Sequence, residues 1–188
     1  MITAIDKNTA LVLIDLQKGI VGYPTVHPMS DILLKSGKLV AAFREANLPI
    51  VIVNVNAAGA AWTRVRKDAK QSPGAYKDDF LEITHEIKTQ PDDIFITKHT
   101  WGAFFETELH SELQKRGVTG IVLAGVSTSI GVEGTARQAS ERAYNISFAA
   151  DAMTDMVATA HEHSQKVIFP RIGEVGTTDE IIAKIKGE

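Results

Sequence analysis

The chain of 188 residues contains no cysteine. Disulfide bonds, thiolate metal ligands and thiol nucleophiles are therefore excluded from its chemistry. The chain also lacks any apolar run of about 18 residues, the length that a membrane-spanning helix requires. Its first residues do not combine a basic segment with an apolar one, as a secretory signal does. We therefore expect a cytoplasmic protein without a membrane partner.

An excess of charge of one sign is missing as well. The 20 Lys and Arg residues nearly balance the 23 Asp and Glu residues, which leaves a formal net charge of −3. This balance provides no electrostatic attraction for nucleic acid, so we expect no nucleic-acid partner. The length suffices for one sizeable core and is short for two, and residues 1–188 are therefore predicted to form a single domain.

Apolar runs alternate with helical patterns along the whole chain. The runs lack polar alternation, as is typical of parallel strands that are buried on both faces. Strands are predicted at residues 9–14, 49–54, 92–97, 120–124 and 144–150. Helices are predicted at residues 31–47 with Ser30 as the cap, 107–115, 131–143, 161–169 and 181–186, the last launched by a capping box at 177–180. This order predicts a three-layer α/β/α, Rossmann-like domain with a mainly parallel sheet of five to six strands and the first strand near its centre.

Residues 55–90 follow neither pattern. Ser72, Pro73 and Gly74 indicate a turn, and residues 78–87 are compatible with a short helix. A long irregular stretch in a compact domain is usually a lid or a binding loop. We expect one of these two roles for the stretch, and residues 151–155 to form a further loop at the end of a strand.

A strand, a tight turn and a helix are predicted across residues 120–143, with Gly131 in the turn. A helix that starts at the carboxyl edge of a parallel sheet presents unpaired amides and the positive end of its dipole. Asp15 and Lys98 follow two other predicted strands, so all three residues are expected at the same edge. A carboxylate beside an ammonium group can hold a mobile proton, which suits acid or base chemistry.

Three stretches resemble the isochorismatase-like proteins of the cysteine hydrolase superfamily: residues 11–17 (LVLIDLQ), 96–104 (ITKHTWGAF) and 125–137 (GVSTSIGVEGTAR). Amidases of this family place a nucleophilic cysteine near Gly131, activated by residues that correspond to Asp15 and Lys98. The resemblance implies an oxyanion site made by the amides of Ser127 and Gly131, and a cis peptide bond between Val126 and Ser127. The chain is thus identified as a member with Gly in place of the nucleophilic Cys.

The resemblance also implies a reaction that needs no thiol. Some isochorismatases carry Gly at this position and hydrolyse the vinyl ether of isochorismate, which releases pyruvate. Protonation at carbon is the difficult step, and Asp15 is the candidate general acid. Gly131 leaves space and free amides for a substrate carboxylate. We expect a cofactor-free and metal-independent hydrolase of a small anionic metabolite.

Five further residues are candidates for substrate binding: Ser127, Thr128, Trp101, Arg64 and Asn56. Arg64 belongs to a basic loop at residues 62–67, and arginine pairs with carboxylates through two parallel hydrogen bonds. A solvated loop face explains this loop equally well. Isochorismatases use a Gln after their second strand, which Asn56 could replace here. Trp101 could line a pocket or belong to the core.

Two other functions stay open. The first is a catalytically silent member that binds a small acid or a partner protein. The second is an amidase with Ser127, Thr128 or Ser129 as its nucleophile. No Gly-x-Ser-x-Gly motif and no adjacent base accompany these hydroxyls, so Thr128 and Ser129 are interpreted as caps of the following helix.

The same resemblance bears on metal binding and on the oligomeric state of the protein. Nicotinamidases that bind a metal need an Asp-x-His motif after the second strand, and no histidine occurs between His27 and His85. His161 and His163 lie two residues apart on a predicted helix and face different directions, so we expect no metal site. Members of the family commonly form dimers or tetramers, which implies a homodimer or a homotetramer here.

Overall fold

The strands of the molecule form a parallel sheet. The computed structural model describes residues 1–68 and 77–187. In these residues six strands pair in the order β3-β2-β1-β4-β5-β6, and every pair is parallel. The strands are β1 (Thr9–Ile14), β2 (Ile50–Val55), β3 (Ile94–Lys98), β4 (Gly120–Val126), β5 (Asn145–Thr154) and β6 (Glu174–Gly176). The predicted α/β class and the central place of the first strand are confirmed.

Helices cover both faces of the sheet. They are α1 (Lys18–Val21), α2 (Met29–Glu45), α3 (Leu109–Lys115), α4 (Glu133–Ser140), α5 (Ala158–His163) and α6 (Thr178–Lys186). Alternate residues of β1 enter different cores: Leu11 and Leu13 pack with residues of α2 and α6, whereas Val12 and Ile14 pack with residues of α3 and α4. This is the predicted three-layer arrangement, because a strand that is covered on both sides needs apolar residues at every position.

Short irregular helices join these elements. A 3₁₀ turn spans Ala61–Arg64, and a π-helical segment, Thr128–Val132, leads directly into α4. A second π-helical segment, Ser164–Ile168, and a 3₁₀ turn, Phe169–Arg171, continue α5. π-helical segments often occur at functional sites, and the first of them contains Gly131. No helix in the described parts of the chain is long and apolar enough to cross a membrane.

Several predicted boundaries were wrong. Helix α2 begins at Met29 with Pro28 before it, so Ser30 lies inside its first turn and does not cap it. Residues 78–87 form turns rather than a helix. Strand β5 continues to Thr154, and therefore most of the loop expected at 151–155 is strand. The turn expected at 72–74 lies outside the described residues.

The end of the chain contains one element that the patterns predicted and one that they missed. The Thr177 hydroxyl accepts a hydrogen bond from the Glu180 amide, and the Glu180 carboxylate accepts one from the Thr177 amide, which confirms the capping box. Strand β6 was not among the predicted strands. Its three residues are too few to show a periodic pattern.

Candidate active site

Asp15 and Lys98 form a buried ion pair at the carboxyl edge of the sheet. The Lys98 Nζ atom lies 2.8 Å from Asp15 Oδ2, and the two residues are 2% and 5% exposed, respectively. Lys98 also donates to the carbonyl oxygens of Trp101, at 2.8 Å, and Thr100, at 3.3 Å. Carbonyls of the loop after β3 therefore hold the ammonium group in place against Asp15.

The backbone of Asp15 turns sharply where β1 ends. Its φ angle is 54°, in the left-handed region that Asp and Asn enter more readily than most residues. Its amide still donates to the carbonyl of Val53 on β2, at 2.9 Å. The second carboxylate oxygen, Oδ1, is buried and has no hydrogen-bond partner among the residues that the structure describes. A buried carboxylate oxygen of this kind is an acceptor available to a substrate or to water.

The environment of Asp15 favours a proton. Burial raises the pKa of Asp15 to about 6, while the charge of Lys98 and its hydrogen bond act in the opposite direction. With this pKa, about a tenth of the Asp15 side chains carry a proton at pH 7. The residue can therefore donate or accept a proton under physiological conditions.

Gly131 lies against the same carboxylate. An ideal Cβ atom at Gly131 would be 3.2 Å from Asp15 Oδ2, 3.2 Å from the Val126 carbonyl oxygen and 2.9 Å from Ile14 Cγ2. The structure thus brings the ends of β1, β3 and β4 together as expected from the parallel sheet. It also shows that Ile14 partly fills the space beside Gly131, so that any side chain at this position requires Ile14 to move.

The turn between β4 and Gly131 is tight. The peptide bond between Val126 and Ser127 is cis, as the family resemblance implied. The Ser127 carbonyl accepts hydrogen bonds from the amides of Ile130 and Val132, both at 3.1 Å. Ser127 itself is half-buried. Its role in substrate binding stays a prediction.

Thr128 and Ser129 do not cap the helix that they begin. The Thr128 hydroxyl is fully buried and lies 2.8 Å from Nδ1 of His161 on α5. The amide and the hydroxyl of Ser129 both donate to Oδ2 of Asp155, each at 2.8 Å. The capping prediction was wrong because side chains from a distant segment provide these partners. A contact between Thr128 and substrate stays a prediction.

His161 is neutral and its tautomer follows from its neighbours. The Gln165 amide nitrogen donates to the carbonyl of Ala150 at 3.0 Å, and its other hydrogen faces His161 Nε2 at 3.1 Å. Nε2 therefore accepts, which assigns the ring hydrogen to Nδ1 and makes Thr128 its acceptor. Burial and the neighbouring ring of His27 lower the pKa of His161, and Asp155 and Glu162 oppose this effect. The sequence alone did not indicate that His161 contacts Thr128.

Asn56 and Trp101 flank Lys98. The backbone amide of Asn56 donates to the Lys98 carbonyl at 2.9 Å. The side-chain oxygen of Asn56 accepts from the Ala58 amide at 3.1 Å. Trp101 contributes its carbonyl to the ammonium group and leaves its side chain 54% exposed. Both residues thus lie beside the ion pair, with the Trp101 ring at the surface rather than in the core.

The basic loop is attached at the rim of the site. The Trp62 indole nitrogen donates to the carbonyl of His99 at 2.6 Å, next to Lys98 in the chain. Arg64 is exposed and donates to the Gly59 carbonyl at 3.2 Å, and Lys67 lies over the Trp62 ring. Among the described residues, Arg64 makes no hydrogen bond or ion pair with Asp15, Lys98 or Gly131.

Gln17 links the segments next to the site, a structural role that the sequence did not predict. It is fully buried. Its side-chain oxygen accepts from the Val55 amide at 2.6 Å, and its nitrogen donates to the carbonyls of Val55, at 3.2 Å, and Phe80, at 3.0 Å. Gln17 therefore joins the end of β1 to the end of β2 and to the segment around Phe80. Gln17 belongs to the stretch 11–17 that resembles the family, but a single sequence does not reveal these hydrogen-bond partners.

Residues 1–68 and 77–187 contain no group of three or more His, Asp or Glu side chains that could hold a metal ion. The independence of the reaction from metals and cofactors stays a prediction.

The fold and the site together are those of a three-layer α/β enzyme with polar residues gathered at the carboxyl ends of its strands. A family model described as the isochorismatase domain matches residues 9–180. The chain belongs to the isochorismatase family of hydrolases.

Relatives of similar length support this assignment. The chain is 40% identical over 183 residues to YwoC of Bacillus subtilis, an uncharacterized isochorismatase family protein, with 96% of this chain and 95% of that protein covered. It is 37% identical over 180 residues to YecD of Escherichia coli O157:H7, also uncharacterized, with 94% and 95% covered. An isochorismatase family protein from Burkholderia thailandensis has the same fold, with a TM-score of 0.93, 36% identity and coverage of 99% and 100%.

Proposed function

We propose that the protein hydrolyses a small anionic vinyl ether, with isochorismate as the specific candidate and Asp15 as the general acid. The observation that carries the proposal is the buried Oδ1 atom of Asp15, which has no hydrogen-bond partner among the described residues, while Oδ2 of the same carboxylate lies beside Gly131, a residue without a side chain. A thiol nucleophile is absent from the chain. Chemistry that begins with proton transfer therefore fits these residues better than acyl transfer.

The reaction begins with protonation of the substrate. Asp15 donates a proton to the methylene carbon of the enolpyruvyl group, and the electrons of the carbon–carbon double bond form the new C–H bond. The neighbouring carbon becomes an oxocarbenium ion, and Asp15 is left as a carboxylate. A pKa of about 6 is suitable, since it keeps a usable protonated fraction near neutral pH.

Water then completes the hydrolysis. It adds to the oxocarbenium carbon and gives up one proton to the Asp15 carboxylate, which restores the acid and yields a hemiketal. The hemiketal hydroxyl then loses its proton and becomes the ketone oxygen of pyruvate, while the bond between this carbon and the ring oxygen breaks and the ring oxygen takes up a proton, which releases pyruvate and the ring alcohol. No covalent bond to the protein forms at any step.

Lys98 and Gly131 have distinct roles in this proposal. The Lys98 ammonium stabilises the carboxylate that Asp15 becomes after donation, through the 2.8 Å contact at Oδ2. Gly131 keeps side-chain atoms away from the carboxylate. Amides at the start of the helix, including those of Ser127 and Gly131, would hold a substrate carboxylate. The Ser129 amide is not among them, because Asp155 already accepts its hydrogen.

The rim residues would determine which substrate enters. The exposed Trp101 ring offers an apolar surface next to Lys98, and the backbone of Asn56 is hydrogen-bonded to the Lys98 carbonyl. Arg64 would pair with a second carboxylate if the basic loop moved toward the ion pair. A homodimer or homotetramer in the cytoplasm is part of the proposal and rests on the family resemblance alone.

The test is pyruvate release from isochorismate, followed with a coupled lactate dehydrogenase. Wild-type protein is compared with Asp15→Asn and with Asp78→Asn, a matched change at an exposed position. The proposal expects turnover in the wild type and in Asp78→Asn, and a loss of about a hundredfold or more in Asp15→Asn. Equal activity in all three proteins would remove Asp15 as the acid.

Absence of turnover in the wild type would favour the first of the two other open functions, a member that binds without catalysis. Calorimetric titration with isochorismate and with simpler carboxylic acids would then measure binding directly. The second of these functions, an amidase with a hydroxyl nucleophile, is opposed for Thr128 by its environment. Thr128 is fully buried, and its hydroxyl faces Nδ1 of His161, the nitrogen to which the ring hydrogen is assigned and which therefore cannot act as its base.

A further inference from the structure

The loop after β3, residues 99–104, is attached to helix α4. This attachment uses side chains from one face of the helix. The Gln138 side-chain oxygen accepts from the Phe104 amide at 3.0 Å, and the Thr135 hydroxyl accepts from the Ala103 amide at 3.0 Å. The contact is close, because a Cβ atom on Gly102 would overlap the Gln138 side chain.

Thr135 makes a second hydrogen bond toward the site. Its hydroxyl donates to the carbonyl oxygen of Gly131 at 2.7 Å, one turn earlier in the helix. The residue is fully buried, and with both bonds its hydroxyl acts as donor and acceptor at once. One side chain therefore touches the residue beside Asp15 and the loop that holds Lys98.

These contacts close a ring around the ion pair. From Gly131 the ring passes through Thr135 to Ala103, and along the loop to the Trp101 carbonyl. That carbonyl binds the Lys98 ammonium, which binds Asp15. Asp15 Oδ2 lies 3.2 Å from where a Cβ on Gly131 would be. A shift of any member moves the ammonium relative to the carboxylate.

We propose that Thr135 is the positioning residue of this site, which fixes the Lys98 loop on helix α4 and so holds the ammonium group against Asp15. The inference deepens the proposed function, since Asp15 is the acid in that reaction. Its physical content does not depend on a substrate, because it concerns the distance between two charged groups. Thr135 acts through Lys98 and touches neither substrate nor the reacting atoms.

The test is the titration of the Asp15 carboxyl carbon by NMR in protein labelled with ¹³C at aspartate, with Asp15→Asn to assign the signal. Thr135→Val keeps the shape of the side chain and removes the hydroxyl. Its Asp15 should titrate about one pH unit higher than in the wild type, because a less firmly held ammonium favours the carboxylate less. Thr135→Ser retains the hydroxyl and should restore the wild-type titration.

A matched control comes from Thr178, another fully buried threonine, whose hydroxyl donates to Asp151 far along the chain from Lys98. Thr178→Val should leave the Asp15 titration unchanged. If Thr135→Val does not fold, Gln138→Met releases the same loop at a half-buried position and should move the titration in the same direction. An unchanged Asp15 titration in the folded variant would overturn the proposal.

This experiment separates the inference from the proposed function. The titration needs no substrate, so it gives a result even when the wild type releases no pyruvate. If turnover is present, Thr135→Val should move the fall of kcat/KM with pH upward by about the same one pH unit, and Thr135→Ser should restore the wild-type profile. An unmoved pH profile together with a shifted titration would show that the ring fixes the pair and that Asp15 is not the acid.

Discussion

The carboxylate of Asp155 accepts two hydrogen bonds from Ser129, one from the backbone amide and one from the hydroxyl, each 2.8 Å long. Its other oxygen accepts from the Val157 amide at 3.1 Å, where α5 starts. Asp155 is 2% exposed. A single buried carboxylate thus joins the turn before Gly131 to the start of another helix, and its negative charge lies at the helix end that favours it.

Replacement of Asp155 by Ala should therefore destabilise the protein. The change leaves two backbone amides without their acceptor, and buried unpaired donors cost about 1–3 kcal/mol. The free energy of unfolding measured in urea should fall by that amount. Asp78→Ala removes an exposed carboxylate and provides the control. Equal midpoints for the two variants would show that solvent replaces Asp155 at no cost.

The pH dependence of turnover follows from the pKa of Asp15. Burial raises that pKa to about 6, and a general acid works only while protonated. The value of kcat/KM should therefore be constant below pH 6 and fall about tenfold per pH unit above it. Steady-state rates between pH 5 and 9, with circular dichroism to verify folding, provide the measurement. A rate that rises through pH 6 would instead identify Asp15 as a general base that activates water.

The fold was largely predictable because its central strands, β1 and β4, are buried on both faces. Residues 9–14 and 120–124 are continuous apolar runs, and this pattern identifies a central parallel strand without knowledge of its neighbours. The carboxyl ends of such strands meet at one edge, which was enough to bring Asp15, Lys98 and Gly131 together. Helix starts were less predictable, as at Ser30, because a serine hydroxyl can form several different local hydrogen bonds, of which capping a helix is only one.

The supports of the site could not be predicted from one sequence. Thr128 and Ser129 looked like caps because local spacing was the only information available. Their partners, His161 and Asp155, lie 33 and 26 residues further along the chain. The tautomer of His161 depends in addition on Gln165. Contacts over such separations depend on packing, and residue type alone does not specify them.

Loss of the Lys98 charge should destabilise the protein in a pH-dependent way. Lys98→Met leaves Asp15 buried without its cation, which costs about 3–5 kcal/mol when the carboxylate is charged. In the wild type the Lys98 ammonium lowers the pKa of Asp15. Without this cation, the pKa of Asp15 should be higher in the variant than in the wild type. A group whose pKa is raised by folding stabilises at low pH, and this contribution is lost as pH rises through the folded-state pKa. The variant should thus be least stable, relative to wild type, at pH 8 and recover toward pH 5.

Urea unfolding at both pH values measures this effect. Lys18→Met is the control, because Lys18 forms an exposed ion pair with Glu82 and its loss should change little at either pH. A constant difference between Lys98→Met and wild type from pH 5 to 8 would show that Asp15 is not the group that titrates.

A methyl group at Gly131 should damage both stability and turnover. The new Cβ would lie 2.9 Å from Ile14 Cγ2 and 3.2 Å from Asp15 Oδ2. Ile14 is fully buried in β1 and has little room to move, so Gly131→Ala should lower the free energy of unfolding by about 1–3 kcal/mol. In the proposed reaction the methyl group would also occupy space beside the carboxylate that acts as the acid, and turnover should be lost with it.

Gly22→Ala separates this local effect from the general cost of changing a glycine. Gly22 ends α1 in a right-handed conformation, and no heavy atom lies within 4 Å of an ideal Cβ there. This control should stay within about 0.5 kcal/mol of wild type and keep full activity. A Gly131→Ala protein as stable and active as Gly22→Ala would mean that Ile14 yields freely, and the absence of a side chain at 131 would then have no part in catalysis.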